Sequence, residues 1–352
     1  MQRHHPNRNK RVRESVPSIN SDLCARTQLL RASCSSCVQA CPTGALFETE
    51  SDTGGEVALG LNTEACTGCG ACRAACEKSA VSIPLNLPVA PAGSTGVTLV
   101  CQHHSTAGMG PAIPCLHALG LNDLARFWLA GIRKILLASG DCSTCPLAAQ
   151  TRLQDRIDQF NILAQSRDLP ELHHSTAGPK ALHHWCNDTS APDRGRRAFL
   201  RGFAAPVLAA SDAAPDDRSA LQRFLELGEK RKGRLFPHVP VIAANTCTAC
   251  DNCINLCPNG ALILVKDNNG ETSYVVNASA CTGCCLCEDI CDFSAVEVRT
   301  MHPEATAIQL TRYHCRACGV ARNATGPIPP QDGLCHICRQ TRQHKKLFQV
   351  LE

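Results

Sequence analysis

Residues 247–258 read CTACDNCINLCP, and residues 281–291 read CTGCCLCEDIC. Cys247, Cys250, Cys253 and Cys257 follow the spacing C-x2-C-x2-C-x3-C with Pro258 next, and Cys281, Cys284, Cys287 and Cys291 repeat it. Three sulfurs in a tight loop can reach three irons of one cube, while the fourth sits a helical turn away. Eight cysteines in this doubled spacing favour two cubane clusters over two zinc knuckles. Cys285 is a ninth cysteine inside the run and reads as a bystander, because its neighbours already satisfy the spacing.

The same phrases recur near the N-terminus. ACTGCGAC at 65–72 matches TCTACDNC at 246–253 and ACTGCCLC at 280–287. CPTGAL after Ala40, CEKSAV after Ala75, CPNGAL after Leu256 and CDFSAV after Ile290 each place an Ala-Leu or Ala-Val pair four residues after a cysteine. Such fidelity marks two related modules, each internally doubled around a shared core. The second half of the first module is regular, with Cys66, Cys69, Cys72 and Cys76. Its first half has Cys34, Cys37 and Cys41-Pro42, and Arg31 stands where the alignment asks for a further cysteine. Cys24, ten residues before Cys34, is the expected replacement; a three-iron cluster or a non-cysteine ligand is the alternative.

These runs resemble the bacterial 2[4Fe–4S] ferredoxin family, in which the fourth cysteine of each run ligates the other cluster. The resemblance implies a ferredoxin-like fold, one-electron transfer and crossed ligation. Cys247, Cys250, Cys253 and Cys291 would hold one cluster, and Cys281, Cys284, Cys287 and Cys257 the next. In the first module the sets would be Cys24, Cys34, Cys37 and Cys76, then Cys66, Cys69, Cys72 and Cys41. Glu77 and Asp292 stand where Pro42 and Pro258 follow the other fourth cysteines. An acidic residue beside a cluster disfavours an added electron, so both are expected to lower the potential.

Between the modules the texture changes. GVTLVCQ at 96–102 and KILLASGDC at 134–142 read as buried strands, and 121–134 as an amphipathic helix between them. That order predicts a right-handed parallel unit, with Cys101, Cys142 and Cys145 at the carboxyl edge where ligands gather. Cys115, in PCLHAL, could join them in a [2Fe–2S] or zinc site. Together VCQ, PCLHAL, the helix and ILLASGDCSTC look similar to the iron–sulfur delta subunit of methyl-viologen-reducing hydrogenases. That subunit passes electrons between a hydrogenase and a disulfide reductase. A structural βαβ unit with free thiols is the bland alternative. His103, His104 and His117 are expected at the surface.

The remaining segments carry weaker signals. Residues 1–18 read as a disordered basic tail and 166–238 as a linker with some helix. Arg196-Arg197-Ala198-Phe199-Leu200-Arg201 resembles a twin-arginine motif but lies far inside the chain, and Cys186 stands alone. Cys315, Cys318, Cys335 and Cys338 form two C-x2-C pairs sixteen residues apart. They predict a zinc ribbon, with rubredoxin-type iron as the rival.

The expected fold is α+β. A first ferredoxin-like module spans 19–90, a βαβ segment 95–165, a second module 239–302 and the ribbon 308–345. Twenty-six cysteines stand against nine phenylalanines, two tryptophans and two tyrosines, so metal ligation is expected to supply folding free energy that aromatics normally provide. MQRHHPNRNKRVRES has no apolar stretch behind it, and no run approaches the roughly 20 residues a membrane helix needs. A cytoplasmic protein not integral to a membrane is expected, its C-x2-C pairs being metal sites rather than disulfides. The small net charge of +4, without aromatic interleaving, argues against nucleic acid as a partner.

No dinucleotide fingerprint, nucleophile elbow or flavin signature is visible, so no catalytic site of its own is expected. The leading expectation is an electron-transfer subunit relaying single electrons through about four [4Fe–4S] clusters, two per module, as two short wires. Its partners would be redox proteins, as in a hydrogenase- or formate-dehydrogenase-like complex. The alternative is an accessory or maturation factor whose clusters are structural or donated.

Overall fold

The computed structural model describes residues 16–50, 57–85, 87, 94–102, 112–142, 145, 153–176, 218–229, 232–268, 270–326 and 330–341. The tail before residue 16, His103, His104, Cys186 and the twin-arginine-like stretch lie outside the described residues. The chain is mixed α/β, and the order of its elements repeats.

In the first cysteine-dense region β1 (Ser18–Ile19) is followed by α1 (Ala25–Gln28), α2 (Ser36–Gln39), the hairpin β2 (Leu46–Glu50) and β3 (Val57–Leu61), α3 (Ala71–Ala75) and β4 (Val81–Ser82). β1 returns antiparallel onto β4 through Ser18 and Ser82, so the expected basic tail ends earlier than residue 18. The core here is small and built partly of thiols: Cys37, Leu46, Cys72, Val81 and Ile83 are buried together.

The middle region is larger than the expected βαβ unit. β5 (Gly96–Cys101), β6 (Ala112–Ile113), α4 (Leu121–Leu129), β7 (Lys134–Ala138), α5 (Leu153–Gln165) and β8 (His173–Thr176) follow in turn. The strands form a sheet in the order β6-β5-β7-β8, each pair parallel. The predicted helix stops at Leu129 because Gly131, at φ +90°, turns the chain back into β7. The predicted second strand ends at Ala138, four residues before Cys142.

Two parts of the expected linker belong to this body. β8 pairs in parallel with β7, its four residues all exposed along an edge, and that polarity made HHST read as linker. α6 (Ala220–Leu225) places Leu221, Phe224 and Leu225 on one face and buries them. Phe224 stacks on Phe160 at 4.4 Å and meets Trp128 edge-on at 5.1 Å. These aromatic side chains belong to one large core that runs into the second cysteine-dense region, where it includes Phe236, Cys253 and Tyr274.

The second cysteine-dense region repeats the element order of the first. β9 (Leu235–Ile242) is followed by α7 (Asn252–Leu256), the hairpin β10 (Leu262–Lys266) and β11 (Thr272–Val276), α8 (Leu286–Asp289) and β12 (Val296–Pro303). β9 pairs antiparallel with β12, as β1 does with β4. The C-terminal hairpin β13 (Ile308–His314) and β14 (Ala321–Thr325) does not stand apart. β13 pairs with β11, giving a sheet in the order β10-β11-β13-β14, and α9 (His336–Thr341) closes the described chain.

Candidate metal centres

The cysteine loops share a backbone plan that explains their non-cysteine residues. In the three regular runs the residue after the second cysteine is left-handed and caps the following helix: Gly70 at φ +81°, Asp251 at +65° and Cys285 at +58°. The residue before that cysteine is left-handed too, at Gly68, Ala249 and Gly283. Each such bend costs a non-glycine residue about 1 kcal/mol or more, so the loops are held by what they surround. Cys285 therefore occupies a bend. Its thiol approaches the Gly283 carbonyl at 3.5 Å, and burial followed by its contact with Glu288 pushes it up to about 12.

The repeated alanine has a purpose as well. The backbone N–H of Ala261 donates to Cys257 Sγ, and that of Ala295 to Cys291 Sγ, each at 3.2 Å. In the first region the backbone at Leu46 and Ala45 favours the Cys41 thiolate, and that at Val81 and Ala80 the Cys76 thiolate. All four alanines are buried, so a larger side chain has no room where the N–H must approach sulfur.

The sixteen thiols of the cysteine runs approach one another mainly in fours, and two of these sets line small cavities: Cys24, Cys34, Cys37 and Cys76, and Cys257, Cys281, Cys284 and Cys287. Cys37 faces Cys76, Cys34 and Cys24; burial first, then these neighbours, pushes it up to about 11. Cys76 faces Cys34 and Cys24 in turn. Cys69 faces Cys41 and Cys66, and Cys72 lies against Cys69 first, then Cys37 and Cys41. In the second region Cys253 faces Cys247, Cys250 and Cys291. Cys281 and Cys287 face Cys284 and Cys257, and Cys287 faces Cys253 as well. Each group draws its fourth member from the other run. Buried thiols crowded together resist ionisation, whereas a bound metal centre takes them as thiolates outright. The donor sets therefore fit iron–sulfur clusters.

Cys24 reaches its group by a local device. It is the N-cap of α1, an extra helical turn with no counterpart in the second region. Arg26 in that turn is buried, donating to the Cys34 carbonyl at 2.5 Å and to Glu48 at 2.5 Å, which fixes the loop around Cys24. The first run also lacks the left-handed bend, since Ser35 has φ −131°.

The middle thiols gather at the carboxyl edge of the parallel sheet. Cys101 ends β5, Cys115 follows β6, and Cys142 and Cys145 follow β7. Cys115 faces Cys101, Cys69 and Cys145, and burial above all pushes it up to about 12. The Cys142 thiol approaches the Gly140 carbonyl at 3.7 Å. His117 departs from expectation: it is buried, and its Nδ1 accepts the Leu153 N–H at 2.9 Å, capping α5. Arg73, between Cys72 and Cys76, ties the first region to this body through both oxygens of buried Asp123, at 2.7 and 2.8 Å.

Among the described residues one set of side chains converges as tightly as a single ion requires. The ligand atoms of Cys315, Cys318, Cys335 and Cys338 all lie within 4.8 Å of one another. A zinc ion about 2.3 Å from each sulfur holds tetrahedral sulfurs about 3.8 Å apart. The Cys335 N–H donates to Cys315 Sγ at 3.3 Å, and the Cys338 N–H to Cys335 Sγ at 3.5 Å. No described helix is long and apolar enough to cross a membrane.

Residues 32–81 match the family model described as a 4Fe-4S dicluster domain. No curated protein matches the chain.

Proposed function

We propose that this chain, which carries a 4Fe-4S dicluster domain over residues 32–81, relays single electrons between partner redox proteins. The observation that supports the reading is that Cys24, Cys34, Cys37 and Cys76 line one small cavity and Cys257, Cys281, Cys284 and Cys287 line another, each set drawing one member from the partner run. Cys24, Cys34, Cys37 and Cys76 would hold one cluster, and Cys41, Cys66, Cys69 and Cys72 its neighbour. Cys247, Cys250, Cys253 and Cys291 would hold a third, and Cys257, Cys281, Cys284 and Cys287 a fourth. A four-iron cube supplies reversible uptake of one electron at a potential set by its surroundings.

The chain's own residues set those surroundings. The N–H donors from Ala261 and Ala295 favour negative charge on sulfur and ease reduction. Cys101, Cys115, Cys142 and Cys145 would hold a smaller [2Fe–2S] centre, in keeping with the delta-subunit resemblance. Cys315, Cys318, Cys335 and Cys338 would hold zinc, whose role is to fold the ribbon.

Metal and sulfide analysis of anaerobically purified protein, with EPR after dithionite, tests this. The expected result is about sixteen irons with matching sulfide, one zinc, and interacting reduced-cluster signals. Two further irons would come from the middle thiols. Zinc at several equivalents without sulfide would overturn the relay. Transfer of intact clusters to an apo-enzyme would favour the maturation role instead.

A further inference from the structure

Three residues in the dense regions break the regular pattern: Arg31 in place of a cysteine, and Glu77 and Asp292 in place of proline. The structure brings all three to one seam. Arg31 Nη1 donates to Asp292 Oδ1 at 2.9 Å. Glu77 Oε1 lies 3.1 Å from Nε2 of His238, on β9 of the other region. The Ser33 N–H donates to Asp289 Oδ2 at 2.9 Å.

The floor of the seam is apolar. Ala25 and Ala32 from the first region and Leu286 from the second are buried together, with Cys34 and Cys284 packed against them. A cavity of about 40 Å³ is walled by Cys24, Cys34, Cys37 and Cys76 on one side and by Gly283 and Cys284 on the other. Gly283 has no substitute here. Its φ is +63°, and a Cβ would lie 2.6 Å from the His238 ring that reaches over it to Glu77.

We infer that the two ferredoxin-like regions are joined end to end. The Cys24/Cys34/Cys37/Cys76 site and the Cys257/Cys281/Cys284/Cys287 site share a wall, so the four sites form one file rather than two separate pairs. This deepens the relay reading and rests on it. Two acidic side chains next to cluster ligands would oppose electron uptake at the joint. Each is instead paired with a cationic or imidazole partner from across the seam, and in both cases the pairing depends on a residue that breaks the pattern. The outer ends also back onto further structure. Cys69 lies against Cys115, and Thr325 of β14 donates to the Cys247 carbonyl at 3.2 Å. An electron entering at one end is matched by one leaving at the other, with partner oxidoreductases as donor and acceptor and no bond or proton transferred.

The test uses full-length holoprotein stripped of its outer sites by Cys66→Ala, Cys69→Ala, Cys247→Ala and Cys250→Ala. After dithionite reduction the two remaining clusters should show spin–spin coupling, and adding Arg31→Glu with His238→Glu should remove it at unchanged iron and sulfide. A loaded stripped chain with uncoupled signals would overturn the end-to-end joint while leaving the relay intact. Should the stripped chain not load, the four-site protein with Arg31→Glu and His238→Glu decides. Several-fold slower spin relaxation than wild type at equal iron supports the joint, and identical relaxation overturns it. A wild-type protein without sulfide would instead remove the relay reading itself.

Discussion

Cys24 and Cys285 illustrate how a cysteine's neighbours, more than its spacing, assign its role. Cys24 lies outside the regular run yet its thiol faces Cys37 and Cys76. Cys285 lies inside the run yet turns toward Glu288. Cys24→Ser should therefore cost iron and yield a three-iron EPR signal in the oxidised protein, whereas Cys285→Ser should leave iron, sulfide and spectrum unchanged. Equal effects of the two substitutions would contradict this assignment. At Ala261 the buried N–H that approaches Cys257 leaves no room for a longer side chain. Ala261→Leu should overpack this wall and destabilise the chain by about 1–3 kcal/mol, read as a lowered midpoint in chemical denaturation of the loaded protein.

At the scale of elements, α3 and α4 are joined by the Arg73–Asp123 pair. Asp123 is 2% exposed, and its Oδ2 also accepts the Gly120 N–H at 3.0 Å at the start of α4. Asp123→Ala would remove the carboxylate partner of Arg73 and uncap the helix. Removal of one partner of a fully buried pair costs about 3–5 kcal/mol; Arg73 is partly exposed and keeps its bond to the Ala118 carbonyl, so denaturation should show a loss below that range. Because Arg73 lies between Cys72 and Cys76, the same substitution should also speed cluster loss in air. The helix α4 and the strands β5 and β7 were legible from apolar periodicity. β8 and α6 were not: an exposed edge strand carries no alternation, and six residues with three apolar positions carry little periodic signal.

Across the whole molecule, a small thiol-lined core in the first region and a larger core rich in aromatic side chains divide the work of stabilisation. Leu46, Val81 and Ile83 share their small core with Cys37 and Cys72, and burying such aliphatic side chains contributes about 1.5–3 kcal/mol each. The aromatic cluster at Trp128, Phe160 and Phe224 belongs to a larger core shared by the parallel sheet and the second cysteine-dense region. Removal of iron by a chelator under reducing conditions should therefore unfold the first cysteine-dense region first. Far-UV circular dichroism should fall in part, while the fluorescence of Trp128, held through its Nε1 bond to the Pro170 carbonyl at 2.7 Å, should be retained. Simultaneous loss of both signals would show one cooperative unit. If the Cys315, Cys318, Cys335 and Cys338 site holds zinc as proposed, Cys335→Ser should release it without changing iron, because these four sulfurs converge on one another within 4.8 Å.

The sequence by itself determined the cysteine loops, their internal doubling and the parallel strand–helix–strand core. These are local properties, written in short-range spacing and in periods of 2 and 3.6 residues. It also marked Arg31, Glu77 and Asp292 as departures and read the two acids as groups that lower the potential. Only the tertiary structure shows what they meet, because Arg31 and Asp292 are 261 residues apart in the chain yet 2.9 Å apart in space. It likewise decided that Cys115 lies beside Cys69 and that the terminal hairpin extends the second region's sheet. Contacts across such separations depend on how whole surfaces pack, and no local pattern encodes them.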